Sequence, residues 1–282
     1  MSSVFDNTLA YTSPAAKAGW FHREESKVRA SVNSTSAVMY PGRAVIRTST
    51  VGNLAQDVKH PVAADFTAKI RTSVIASFTA GQLVTTGTFR GRPFSISTLF
   101  ATDNNTSVDN HVVDLNAYFD AQYTAATSLV AAAGTPGTLT ITAEIPGEDF
   151  TSTTRGDTGT ATNTVNSVTV LSDVLYGFST DSAAILEDST GTFVESIAVD
   201  AAFSSVWEGV VGVTMLAAGA VSMTDDLYIS TATATPGQVT ASAGADRVWV
   251  GKSAGSIVRF VDAPATSTTF PRNAVAILNV RL

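Results

Sequence analysis

The chain has 282 residues, a net charge of −7 and a pI near 4.9; 44% of its residues are hydrophobic, only 15% are charged, and none is cysteine. That apolar share supports a sizeable core, and the acidic balance excludes binding of nucleic acid through the phosphate backbone, which needs a basic face. Without cysteine there is no disulfide framework, no thiolate metal site and no Cys nucleophile.

The first residues, MSSVFDNTLAYTSPAAKAGW, have neither a basic n-region nor an apolar h-region, so no signal peptide is expected. Residues 1–40 read as an extended N-terminal arm, mostly small and polar, with apolar anchors appearing singly. Lys17, Arg23, Lys27 and Arg29 make the arm the most basic part of an acidic chain. It either drapes over its own domain or reaches a neighbouring subunit. Interfaces favour aromatics and Arg, so Trp20, Phe21, Arg23 and Arg29 are the candidate partner-contact residues.

After the turn signal Pro41-Gly42, residues 43–48 alternate as a strand, and Phe66 to Phe78 reads as one or two strands. In that run Phe66, Ala68, Ile70 and Thr72 share a face, which Val74, Ala76 and Phe78 continue. Pro93 to Leu99 is the next strand. Thr106, with Asp109 three residues on, resembles a capping box, and Val108, Val112, Leu115 and Phe119 fall on one face of a helix that reaches about Tyr123. Leu129–Ala133 and Thr138–Glu144 follow as strands on either side of Gly134-Thr135-Pro136-Gly137. Residues 152–166 read as a loop or an edge hairpin, and Val168–Tyr176 and Phe193–Val199 as strands.

Val206 to Met223 is apolar enough for central strands; its longest apolar stretch, Val210 to Met223, is broken by Thr214, Gly219 and Ser222 and is too short to span a bilayer. No membrane partner is expected. Asp225 to Pro264 reads as four short strands separated by turn chemistry at Pro236-Gly237, Ala243-Gly244 and Gly255. Strands so short and so closely spaced close into a small barrel or sandwich, with Trp249 in its core or interface. Residues 273–282 form a last strand. The fold class is therefore mainly β: a small β-barrel or sandwich domain from residues 41–90 and 183–282, interrupted by an inserted α/β domain (strand-helix-strand-strand) at 91–182.

No catalytic, cofactor-binding or metal site is expected. His22, His60 and His111 lie in three different parts of the chain, with His111 on the solvated side of its helix. No nucleophile-elbow, Walker or dinucleotide glycine pattern occurs. Asp103, Asn105, Ser107 and Asp109 fit the first positions of a calcium loop, but Val108 stands where the loop needs Gly, and Asp114 where a bidentate Glu belongs. The helix cap is the better reading. Asp225-Asp226 is more simply a turn before a strand than a calcium site. Arg155-Gly156-Asp157 is the tripeptide integrins recognise, although so short a match in a Gly/Thr-rich loop arises by chance. Arg90-Gly91-Arg92 reads as a solvated hinge into the insertion.

Two stretches carry a family resemblance. DDLYIS, PGQVTAS and VWVGKSA are similar to the small barrels of tailed-bacteriophage head proteins. PFSIST, the following helix and TLTITAEIPGEDFTS resemble a strand–helix–strand module of phage virion proteins. The resemblance implies a capsid decoration, or cement, protein: a non-enzymatic virion structural protein made in the host cytoplasm. Such proteins sit on the capsid exterior, often as trimers, bind the major capsid protein and brace the lattice. Cofactors and nucleic acid have no place in this reading. Its alternatives are a receptor- or glycan-binding virion protein using the inserted domain, with Tyr118, Tyr123 or Trp207 as a platform, and a tail or major capsid structural component.

Overall fold

A computed structural model describes residues 27–48, 57–180, 186–187, 193–194, 196–214, 216, 225–252 and 275–281. The protein is mainly β and contains a closed five-strand barrel. The chain divides into two compact units, residues 1–62, 174–242 and 252–282 in one, and 63–173 with 243–251 in the other.

In chain order the first unit opens with β1 (Lys27–Asn33), β2 (Ala44–Arg47) and β3 (Asp57–Lys59). The second carries β4 (Ile70–Ala76), β5 (Gln82–Phe89), β6 (Arg92–Leu99), helix α1 (Asn104–Gln122), β7 (Leu129–Gly134), β8 (Thr138–Ala143), β9 (Phe150–Gly156) and β10 (Thr160–Val165). A single-turn helix α2 (Leu171–Val174) precedes β11 (Leu175–Ser179), and the short pair β12 (Leu186–Glu187) and β13 (Phe193–Val194) leads to the long β14 (Ala202–Thr214). Then come β15 (Asp226–Ser230), β16 (Val239–Thr240), β17 (Arg247–Lys252) and β18 (Val275–Arg281).

The barrel closes in the order β1-β3-β2-β11-β14, with β14 returning to β1. Only the β1–β3 contact is parallel; the other four are antiparallel. Beyond the barrel, the far half of β14 pairs with β18, from Glu208↔Arg281 to Thr214↔Val275. Met39, Val45, Val58, Tyr176, Ile197 and Phe203 fill the barrel. None of the described strands of residues 225–252 belongs to the closed ring, contrary to expectation: β15 pairs with the two-residue β16, and residues 243–251 fall in the second unit. The strand expected at 256–261 and most of the N-terminal arm lie outside the described residues.

The second unit starts at residue 63, not at 91. Strands β4 and β5, expected in the barrel, instead pair with β8 and β10 and with β6 and β9 respectively. They belong there because β5 and β6 are one hairpin, from Gln82↔Leu99 to Phe89↔Arg92. Its two-residue turn, Arg90 (φ 49°) and Gly91 (φ 70°), has the positive φ values that match the twist of tightly joined strands. A cut at residue 90 would divide that turn.

Two antiparallel sheets, β6-β5-β9 and β10-β4-β8-β7, make the unit, and α1 packs on their outer strands β6 and β7. The core between them is aromatic-rich, with Phe94 meeting Phe119 edge-on at 5.4 Å between centroids. Residues 168–176 do not form one strand: α2 occupies 171–174 and the strand begins only at Leu175. Along β4 the buried residues are Ser73 and Ile75, while Val74 is exposed. The cross-strand register explains it. Ser73 lies opposite Leu139 and Arg71 opposite Ile141, so the inward side of β8 sets the inward side of β4.

Candidate functional site

Of the four candidate contact residues, Trp20, Phe21 and Arg23 lie outside the described residues; Arg29 lies on β1. Alternation places Arg29, Ser31 and Asn33 on one side of β1, and Ser31 and Asn33 are buried in the barrel. The Ser31 and Ser205 hydroxyls meet at 2.7 Å across the β1–β14 pair, so Phe203, Ser205 and Trp207 point the same way from β14. On β2, Arg47 shares the side of the core residue Val45. Inward positions are apolar or hydroxyl-bearing along the barrel and become cationic and aromatic at the end where β1 begins and β2 ends.

At that mouth the side chains form a ladder. The Arg29 guanidinium stacks 4.4 Å from the Trp207 ring centroid and 5.1 Å from that of Tyr176. Arg47 lies 5.3 Å from Tyr176, and the Lys27 ammonium 5.3 Å from Trp207. Lys27 also pairs with Glu208 at 2.8 Å. The Tyr176 hydroxyl donates to the Ala30 carbonyl at 3.2 Å, which locks the ring that both arginines share. Each cation–ring contact is worth about 0.5–2 kcal/mol, depending on desolvation. Among the described residues no carboxylate faces Arg29 or Arg47. Arg29 and Trp207 are half-buried, Arg47 exposed. The arrangement can grip an anionic group.

Both described histidines have each ring nitrogen engaged within the chain. His60 donates from Nδ1 to the Ala44 carbonyl (2.8 Å) and accepts the Tyr40 N–H at Nε2 (3.0 Å). Burial, the largest cause, lowers its pKa to about 4. His111, expected in solvent, is fully buried between α1 and the β5–β6 hairpin. Its Nε2 meets Thr85 Oγ1 at 2.7 Å and its Nδ1 meets Thr98 Oγ1 at 2.8 Å; Thr98 in turn donates to Asp114 at 2.5 Å. Here too burial lowers the pKa to about 4, against the pull of Asp114. The carboxylate contacts the threonine and not the imidazole, and Thr85 is buried, so this network is not a nucleophile–base–acid array. It fastens the helix to the sheet.

The remaining motifs resolve as local structure. Asp103, not Thr106, caps α1, accepting the Thr106 N–H at 2.9 Å and its hydroxyl at 3.0 Å; these bonds, backbone first, lower its pKa. No group of three or more metal-ligating side chains occurs among the described residues. Within Arg155-Gly156-Asp157, the Asp157 carboxylate accepts the Gln82 N–H at 2.9 Å. Tyr118 and Tyr123, candidates for a glycan platform, pack against the core of the second unit, and Trp207 is covered by cations at the barrel mouth.

Neither a protein-family model nor a curated protein sequence matches the chain.

Sequence reasoning missed one polar centre. Arg90, expected in a solvated hinge, is 5% exposed and donates from Nε and Nη2 to Glu148 Oε1 at 3.0 and 2.7 Å, and from Nη2 to the Thr127 carbonyl at 2.6 Å. The same oxygen accepts the backbone N–H of half-buried Trp249 at 3.1 Å. The Trp249 ring covers Gly91, with its edge 3.4 Å from where a Cβ would stand. Burial pushes the Glu148 carboxyl above its ordinary range, against the pull of Arg90. No local signal marks this centre, because Glu148 and the Thr127 carbonyl come to Arg90 from remote parts of the chain.

Proposed function

We propose that this protein is a non-enzymatic virion structural protein that binds the outside of a tailed-phage head and stabilises the capsid lattice as a cement or decoration protein. On this reading it works as a homo-oligomer, a trimer, with the major capsid protein as its partner. The observation that carries the reading is the barrel mouth, a fixed ladder of Lys27, Trp207, Arg29, Tyr176 and Arg47 on a chain of net charge −7. A rigid cluster of arginines and aromatics is the composition of an interface hot spot. The resemblance of PFSIST, helix α1 and TLTITAEIPGEDFTS to a phage virion module, and the low charged fraction of 15%, point the same way. The buried histidine and Arg–Glu networks serve the fold, which leaves docking as the task for the polar groups at the mouth.

The test is add-back. Purified protein mixed with expanded heads that lack it should bind and raise their disruption temperature. A chain that stays monomeric and leaves the heads unchanged overturns the proposal.

A further inference from the structure

We infer that the barrel mouth is a docking site for an acidic segment of a partner protein, one carrying at least two side-chain carboxylates, with Arg29 and Arg47 as the paired receptors. The inference deepens the docking reading above and rests on it for the identity of the partner, not for the chemistry of the site.

A guanidinium on an aromatic ring uses its face and leaves the edge N–H groups in plane and available, and that edge fits a carboxylate in two-point fashion. Both arginines stack on the Tyr176 ring, which the Ala30 carbonyl holds in place. The two guanidinium carbons, 5.1 and 5.3 Å from one ring centroid, are therefore held no farther apart than the sum of those distances before any partner arrives, so little side-chain entropy is lost on binding. Neither meets a carboxylate of this chain among the described residues. Lys27, by contrast, already has Glu208. Its pairing marks what the two arginines lack.

Charge and stacking select the class of partner. Three cations beside one carboxylate are too few to track a phosphate backbone, and the rest of the chain is acidic and repels one. Strand binders stack bases on free aromatic faces, whereas Trp207 and Tyr176 already carry cations. What remains unmet is a short, local demand for carboxylates, which a loop or tail rich in Asp and Glu supplies.

Hexaglutamate is the probe, titrated into the full chain while Trp207 fluorescence is followed in a Trp20→Phe, Trp249→Phe background. Saturable quenching that weakens as salt rises is expected. Arg29→Gln and Arg47→Gln should each weaken binding about tenfold, and together abolish it. Arg29→Lys with Arg47→Lys keeps the charge and the packing stems but removes the forks, so its binding should also fall, with an unchanged near-UV circular dichroism spectrum. No Trp207 response, full retention of binding by the lysine pair, or displacement of hexaglutamate by an equal concentration of single-stranded DNA overturns the inference. Head add-back separates the two proposals. Heads that bind the double glutamine variant as well as the parent refute the docking site while leaving the cement role intact. Hexaglutamate binding without head binding does the reverse.

Discussion

Single residues in this protein are held by being neutral as often as by being charged. His60 is satisfied only as the Nδ1–H tautomer, because its Nε2 accepts the Tyr40 N–H. A proton on Nε2 would set two donors against each other in a buried site. His111 is likewise buried and depressed to about 4. In both cases the folded-state pKa lies below the ordinary value of 6.5, so the unfolded chain binds protons first. The stability they contribute is complete above pH 6.5 and is lost as pH falls toward 4, at about 3 kcal/mol for each histidine. Urea midpoints taken at pH 7, 5.5 and 4.5 should fall steadily, and His111→Asn should flatten the part of the decline that belongs to the second unit. A variant whose midpoints keep the parent's slope would show that His111 does not titrate in this window.

At the scale of elements, asparagine amides take the place of missing strand neighbours. Asn116 on α1 donates to the Ala131 carbonyl at 3.0 Å and accepts the Ala131 N–H at 2.7 Å, so the helix completes β7 as another strand would. Asn163 on β10 does the same for Thr154 on β9, joining strands of different sheets. Replacing Asn116 by Ala leaves two backbone groups at an edge without partners, worth about 1–3 kcal/mol if water cannot reach them. Amide exchange at Ala131 should speed up well beyond that at Leu139 on β8; equal acceleration at both would mean global and not edge loosening. This device also marks how far the sequence could be read. The helix, β2, β6, β7 and β8 were legible, because 3.6-residue or alternating periods and Gly/Pro turns are local signals. The buried side of β4 was not, because register against Leu139 and Ile141 decides it. Nor was the burial of His111, which depends on Thr85 and Thr98 arriving from another hairpin. Arg29 stood out only as a candidate from composition; its ring partners Tyr176 and Trp207 are remote in sequence and meet it only through strand pairing.

For the whole molecule, the two units differ in what holds them, and two tryptophans report on them separately. Trp207 belongs to the barrel, and Trp249 to the segment that clusters with residues 63–173. Inside the second unit the Arg90–Glu148 pair joins the β5–β6 turn, the Thr127 carbonyl and the Trp249 backbone at one buried carboxylate. Removing one partner of such a pair strands the other charge and costs about 3–5 kcal/mol, far more than the pair is worth against an apolar substitute. Glu148→Ala should therefore act on one unit. In single-tryptophan chains built on Trp20→Phe, with either Trp207 or Trp249 also replaced by Phe, urea unfolding follows one unit at a time. With denaturant slopes of about 1–3 kcal/mol/M, Glu148→Ala should lower the Trp249 midpoint by about 1 M or more and leave the Trp207 midpoint close to the parent's. Arg90→Met with Glu148→Leu should recover much of the loss, because no charge is then left buried. Equal shifts at both tryptophans would mean that the units unfold as one, and that the chain's return at residues 243–251 couples them more tightly than their separate cores imply.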